Sequence, residues 1–147
     1  MNNLRNVPAG LQPWLQGATI EENREGMTNT SVFRVEKHNH DHYLKVAQRG
    51  SEDDLRAELS RLLWLQGRLP VPEVLYWAED AERQYLLISE IPGVMLFDDV
   101  LRDQLPAVVR LYATALRQIH AVQGCPFDMR LGIKISEAER KLRENQI

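Results

Sequence analysis

The feature that most constrains this chain is one well-bounded helical segment, Ser51 to Gln66, set inside a stretch that otherwise reads as short strands and turns. Ser51 is placed to cap it, Glu52, Asp53 and Asp54 fall in the electropositive first turn, and Gly67 sits just past its end. Pro70 and Pro72 block continuation. Before it, after a short start around Leu11 to Leu15, Ala18 to Arg24 reads as a weak strand. Thr30 to Lys37 reads as a stronger one, with Val32 and Val35 bracketing Phe33. The turn His38-Asn39-His40-Asp41 then leads to a returning strand, Tyr43 to Ala47, which closes a hairpin. Gly26-Met27-Thr28-Asn29 reads as another turn ahead of that hairpin. Val74 to Trp77 and Tyr85 to Ser89 read as two more strands around the polar turn Glu79 to Arg83, and Pro92-Gly93 ends the second.

About five strands with one helix after the third, followed by helices, make an α+β chain: a mainly antiparallel sheet with a helix against it. From Asp103 to Val122 the spacing is helical, with Val108, Leu111, Tyr112, Ala115, Leu116 and Ile119 on one face and Gly124 near the end. Ser136 with Glu139 offers a capping box for a last helix, whose apolar face is only Ile135, Ala138 and Leu142. At 44% hydrophobic and 27% charged, 147 residues are expected to bury a core. The formal charge of −3 gives no chain-wide reason to seek a nucleic acid. A lone cysteine, Cys125, cannot form an intramolecular disulfide and reads as a small buried residue. No apolar run approaches the roughly 18 residues of a membrane span. Asn, Pro and Gly interrupt Met1 to Trp14, where a signal peptide is apolar, so cytoplasmic residence is the expectation.

The candidate chemistry starts inside the Ser51 to Gln66 helix. With about 100° per residue, Leu55, Leu59, Leu62 and Leu65 share a stripe, and Glu58 falls within it. A carboxylate there needs a partner or the edge of the interface. Two readings stand at this point. Glu58 turns outward to pair with Arg61 at i+3, or it meets a cation on the preceding strand. Period-two alternation on that strand puts Tyr43, Lys45 and Ala47 on one face and Leu44 and Val46 on the other. A lysine beside an aromatic ring can hold phosphate oxygens while a helix carboxylate fixes its direction and the ring covers a purine. His38, His40 and His42 share a side only if the segment is extended, and a turn there breaks a metal-ligating alternation. His120 reads as a helix-end histidine.

The order of these parts is that of a nucleotide-binding lobe of the protein-kinase type: Gly-containing turn, strand, turn, Lys strand, Glu helix, two strands, then Ser89-Glu90-Ile91-Pro92-Gly93. The backbone of that last segment, through the Ser89 carbonyl and the Ile91 N–H, suits the edge of an adenine.

Several stretches also resemble the aminoglycoside 3'-phosphotransferases. They are Glu25-Gly26-Met27-Thr28-Asn29-Thr30-Ser31-Val32-Phe33, Tyr43-Leu44-Lys45, Leu63 to Pro72, Leu87-Ile88-Ser89-Glu90-Ile91-Pro92-Gly93-Val94 and Arg117-Gln118-Ile119-His120-Ala121 with Cys125-Pro126-Phe127. The resemblance implies a nucleotide loop at Met27 and Thr28, with Thr28 near the β-phosphate. It implies that Tyr43 stacks on adenine, Lys45 contacts the α- and β-phosphates, Glu58 holds Lys45, and Ser89 and Ile91 meet adenine through their main chains. It further implies ATP or GTP with magnesium as cosubstrate, and an aminoglycoside hydroxyl as acceptor in a full-length enzyme of antibiotic resistance.

The family's His-Gly-Asp-x-x-x-x-Asn loop, whose Asp takes the acceptor proton and whose Asn binds magnesium, does not occur in this sequence, so no catalytic or metal-binding residue is assigned. The expectation is a nucleotide lobe with hinge over residues 1–92 and the first helices of an incomplete helical lobe over 93–147, inactive alone. An uncovered apolar helix face at Val108 to Ile119 is expected to be exposed or to self-associate. The alternatives are a related kinase for choline, homoserine, a macrolide or a sugar, and a noncatalytic interaction module built on a degenerate kinase lobe.

Overall fold

The computed structural model describes residue 4 and residues 7–23, 30–51, 54–95, 98–127 and 131–143. Two compact units, Met1–Leu105 and Pro106–Ile147, divide the chain.

The first unit is built on five antiparallel strands: β1 (Thr19–Asn23), β2 (Ser31–Lys37), β3 (His40–Gln48), β4 (Val74–Glu79) and β5 (Arg83–Ser89), in the order β1-β2-β3-β5-β4. Chain order and sheet order part company only at β3, which pairs with β5 and leaves β4 at the edge. The helix α2 (Leu55–Leu65) joins β3 to β4, and a 3-10 turn at Ala9–Leu11 runs into a one-turn helix α1 (Gln12–Leu15).

Alternation sorts the two faces. Phe33, Val35, Leu44, Val46, Tyr85 and Leu87 form one core cluster together with Leu11, and Trp14 and Leu15 pack against it. Ala47, Leu86 and Ile88 form the other with Leu55 and Leu62 of α2. The sheet is thus a middle layer, with the N-terminal segment on one side and α2 on the other.

Several boundaries differ from expectation for local physical reasons. The hairpin turn is only His38-Asn39, both at positive φ (52° and 61°), and Lys37 pairs with His40. A two-residue turn of this kind matches strand twist, so His40, Asp41 and His42 join β3 rather than the turn. Asp54, not Ser51, caps α2, its side chain accepting the Arg56 N–H, while Glu52 and Asp53 lie outside the described residues. Gly67 adopts φ +74° just beyond the helix, as a C-terminal glycine should.

A 3-10 segment, Asp99–Gln104, ends the first unit and leads into α3 (Leu105–Ala121), which with α4 (Leu131–Arg143) makes up the helical part of the second. The capping box at Ser136 does not form, because Ser136 lies inside α4 and its hydroxyl donates back to the Gly132 carbonyl at 3.0 Å. Cys125 is exposed rather than buried, since the segment after α3 carries it into solvent. His120 stands in the last turn of α3. Among the described residues no helix is long and apolar enough to cross a membrane.

Candidate functional site

On β3 the side chains of Tyr43, Lys45 and Ala47 share the face covered by α2, with Lys45 opposite Leu86 of β5 and Val32 of β2. Leu55 and Leu62 anchor α2 on that face, which brings Glu58 to the strand. The Lys45 Nζ donates to Glu58 Oε1 at 2.7 Å. The side chains are 26% and 31% exposed, so the pair sits at the rim of the helix–sheet interface. An ammonium has further N–H donors beyond the one given to Glu58, and these are available to anionic oxygens. Glu58 therefore takes the second of its two readings: its partner is Lys45, not Arg61.

The remaining expected residues follow from the register. Tyr43, opposite Ile88, is partly buried against the cluster under α2. Ser89 ends β5 opposite His42, and the next N–H, that of Glu90, donates to the Asp41 carbonyl at 3.2 Å. Asp41 is itself fixed, its Oδ2 accepting from Arg34 Nε at 2.8 Å and Nη2 at 2.5 Å. That carboxylate raises the Arg34 guanidinium above its ordinary value. The Ile91 side chain is exposed. Met27 and Thr28 lie outside the described residues. His42 places its ring Nδ1 3.3 Å from the Val35 carbonyl and packs edge-on to Trp14.

One polar residue went unrecognised in the sequence. Gln84, on the same face as Leu86 and Ile88, is buried beneath the start of α2. Its Oε1 accepts the Leu55 N–H at 2.9 Å, and its Nε2 donates to Asp54 Oδ1 at 3.1 Å and to Glu79 Oε2 at 3.3 Å. The available signal was the position: an amide where strand alternation calls for an apolar residue. Around it, Arg56 Nη2 meets Glu79 Oε2 at 2.7 Å, a hydrogen bond that holds the Glu79 carboxyl below its ordinary range. Asp80 is held low as well, by the backbone N–H groups of Glu82 and Arg83.

A cleft of about 380 Å³ opens at the end of α2, lined by Gln66, Gly67, Leu69, Val71, Glu73 and Val74. Lys45 and Glu58 are not in its wall. Among the described residues no three His, Cys, Asp or Glu side chains gather to hold a metal ion.

This chain is similar to known proteins in both sequence and fold. Residues 19–146 match the model of the phosphotransferase enzyme family. An aminoglycoside 3'-phosphotransferase of Niallia circulans is 31% identical over 146 residues, covering 97% of this chain and 56% of the relative. The crystal structure of an aminoglycoside-3'-phosphotransferase of type VIII superposes with a TM-score of 0.77 at 25% identity, over 95% of this chain and 56% of that one. A thermostable mutant of aminoglycoside phosphotransferase APH(4)-Ia, in ternary complex with ADP and hygromycin B, shares the fold at 21% identity and a TM-score of 0.57, over 78% of this chain and 39% of that one. The chain thus spans little more than half the length of the curated relative.

Proposed function

This chain belongs to the phosphotransferase enzyme family, and from that premise we propose that its sheet and α2 form the nucleotide-binding lobe of a kinase for aminoglycoside hydroxyls. The observation that carries the reading is the 2.7 Å contact between Lys45 on β3 and Glu58 on α2. In this reading Lys45 gives its other N–H groups to the α- and β-phosphates of ATP or GTP, and Glu58 keeps the ammonium from turning into solvent. Tyr43 covers the adenine face, and the Ser89 carbonyl and Ile91 N–H take its edge. Met27 and Thr28 supply the loop over the phosphates. Residues 1–92 act as the nucleotide lobe and hinge, and residues 93–147 as the start of the helical lobe.

The acceptor assignment is supported by the relatives, one of which is described in complex with ADP and the aminoglycoside hygromycin B. Modifying an aminoglycoside hydroxyl removes a hydrogen-bond donor and adds negative charge, which is the chemistry of resistance. Phosphoryl transfer uses magnesium to offset phosphate charge, and the His-Gly-Asp-x-x-x-x-Asn loop, whose Asn would hold it, does not occur in this sequence. No transfer step is therefore assigned to these residues. The 147-residue chain binds nucleotide weakly and does not phosphorylate an aminoglycoside by itself.

Titration of the purified chain with ATP tests the reading, with Lys45→Ala as the comparison. Saturable binding that is lost in Lys45→Ala supports it; equal behaviour of the two proteins favours a noncatalytic interaction module. Phosphorylation of kanamycin by the chain of verified mass contradicts the claim that it is inactive alone.

A further inference from the structure

Gln84 occupies a place in the sheet where an apolar side chain is the ordinary solution, and it is only 6% exposed. Its carbonyl end and its amino end are both engaged, and every one of these bonds reaches either the first turn of α2 or the carboxylate that α2 itself grips through Arg56. Asp54 joins the same cluster while capping the helix, and its carbonyl accepts the N–H groups of Ala57 and Glu58. Gln84 and Leu86 are two residues apart on β5, and Leu86 stands opposite Lys45. Two residues of strand advance about 6.8 Å. Leu55 and Glu58 are three residues apart on α2, a rise of about 4.5 Å and most of one turn. The helix is therefore fixed to the sheet at two nearby points on one face, Leu55 at Gln84 and Glu58 at Lys45, and two points set both its height and its rotation.

We propose that Gln84 is a positioning residue: its buried amide sets the seat of α2 that brings Glu58 to Lys45, and thereby the direction in which Lys45 presents its remaining N–H groups. The consequence for nucleotide rests on the reading given above, whereas the seating of Glu58 on Lys45 belongs to the fold itself. An apolar residue at this position would fill the space yet leave the Leu55 N–H and the Asp54 and Glu79 carboxylates without their shared partner. A carboxylate there would keep the acceptor for Leu55 but repel Asp54 and Glu79, levering the first turn of α2 away from the sheet.

The test uses the full chain and its Gln84→Glu variant at about pH 8, well above the ordinary carboxylate range. Amine labelling by acetic anhydride, read by mass spectrometry, compares Lys45 with Lys37, whose ammonium is bound to the Pro13 carbonyl on the opposite flank. Loss of the Glu58 contact exposes Lys45, so its labelling relative to Lys37 rises about threefold or more in Gln84→Glu, with a cooperative thermal melt retained. Unchanged Lys45 labelling in a folded variant overturns the proposal. If Gln84→Glu does not fold, Gln84→Met replaces it: that side chain fills the space with neither polar end, and a rise of about twofold is expected there. No rise in a folded Gln84→Met overturns the proposal equally. ATP titration adds the functional half. Gln84→Glu weakens ATP binding in step with the rise in Lys45 labelling, and ATP binding equal to the parent's in a variant whose Lys45 labelling has risen overturns a role exerted through Lys45. Failure of the parent chain to bind ATP overturns the nucleotide reading, while the labelling result still decides the seat of α2.

Discussion

Ser89 and Glu73 hold each other twice: the Glu73 N–H donates to Ser89 Oγ at 2.9 Å, and the Ser89 N–H donates to the Glu73 carbonyl at 2.9 Å. The end of β5 is thereby locked to the lead-in of the edge strand β4, immediately before the backbone proposed to meet adenine. Ser89→Ala removes one of these bonds and leaves the Glu73 N–H to water. The expected loss is about 0.5–1.5 kcal/mol in urea unfolding. ATP affinity is expected to fall by a further few-fold if the segment after β5 loosens, and an unchanged affinity would separate this lock from the nucleotide site.

Lys45 and Glu58 contribute direction more than stability. With both side chains about a quarter to a third exposed, a double-mutant cycle of Lys45→Met and Glu58→Gln should give a coupling of about 1 kcal/mol or less, shrinking with added salt. ATP affinity should respond far more strongly than folding stability to either change. A coupling of several kcal/mol would show instead that the pair is a fold-holding element.

The pairing of these two residues was legible because each end obeyed a local rule. Strand alternation put Lys45 opposite in facing to Leu44 and Val46, and helical periodicity put Glu58 inside a leucine stripe. What remained illegible depended on contacts between distant segments. Ser51 and Asp54 are both good caps by type, and the choice of Asp54 coincides with its bond to Gln84, thirty residues away in sequence. The extension of β3 back to His40 came from a turn that needs only two residues at positive φ. Cys125 reads as buried by composition alone, yet the fold leaves it exposed.

Leu11 is the other residue whose role only the fold reveals. It stands in a 3-10 turn outside the sheet yet is fully buried in the cluster with Phe33, Leu44, Tyr85 and Leu87. Leu11→Ala should therefore cost about 2–5 kcal/mol, as a core truncation does. Thermal denaturation checks this, and a loss comparable to that of an exposed substitution would mean that the N-terminal segment does not cover the sheet.

Acid should weaken the fold at the β4–β5 turn. The Arg56 hydrogen bond holds Glu79 below its ordinary value of 4.5, and the backbone N–H groups of Glu82 and Arg83 hold Asp80 below its ordinary 3.8. A carboxylate held low stabilises the fold above its ordinary pKa and ceases to do so as pH falls through the folded-state value. The melting temperature is thus expected to be flat with respect to these two groups from neutrality to about pH 5, and to decline below about pH 4. Asp80→Asn should lower stability at neutral pH and flatten the acid limb. A variant that shifts the whole curve without changing its shape would contradict the assignment.

Helix α3 supplies a prediction of a different kind. Leu105, Val109, Tyr112, Leu116 and Ile119 recur at helical spacing along α3, and every one of them is exposed. A continuous apolar stripe on a helix of this length binds hydrophobic surfaces whenever they are offered. The purified chain is expected to associate as its concentration rises, and Leu116→Lys combined with Ile119→Lys to move it toward monomer. Both substitutions lie in α3, outside the sheet and α2, so the relative labelling of Lys45 and Lys37 should stay as in the parent. Sedimentation equilibrium measures the first effect and mass spectrometry the second. A parent chain that remains monomeric across the full concentration range would refute association through this face. A fall in Lys45 protection in the double variant would show that α3 and the Lys45–Glu58 pair are coupled.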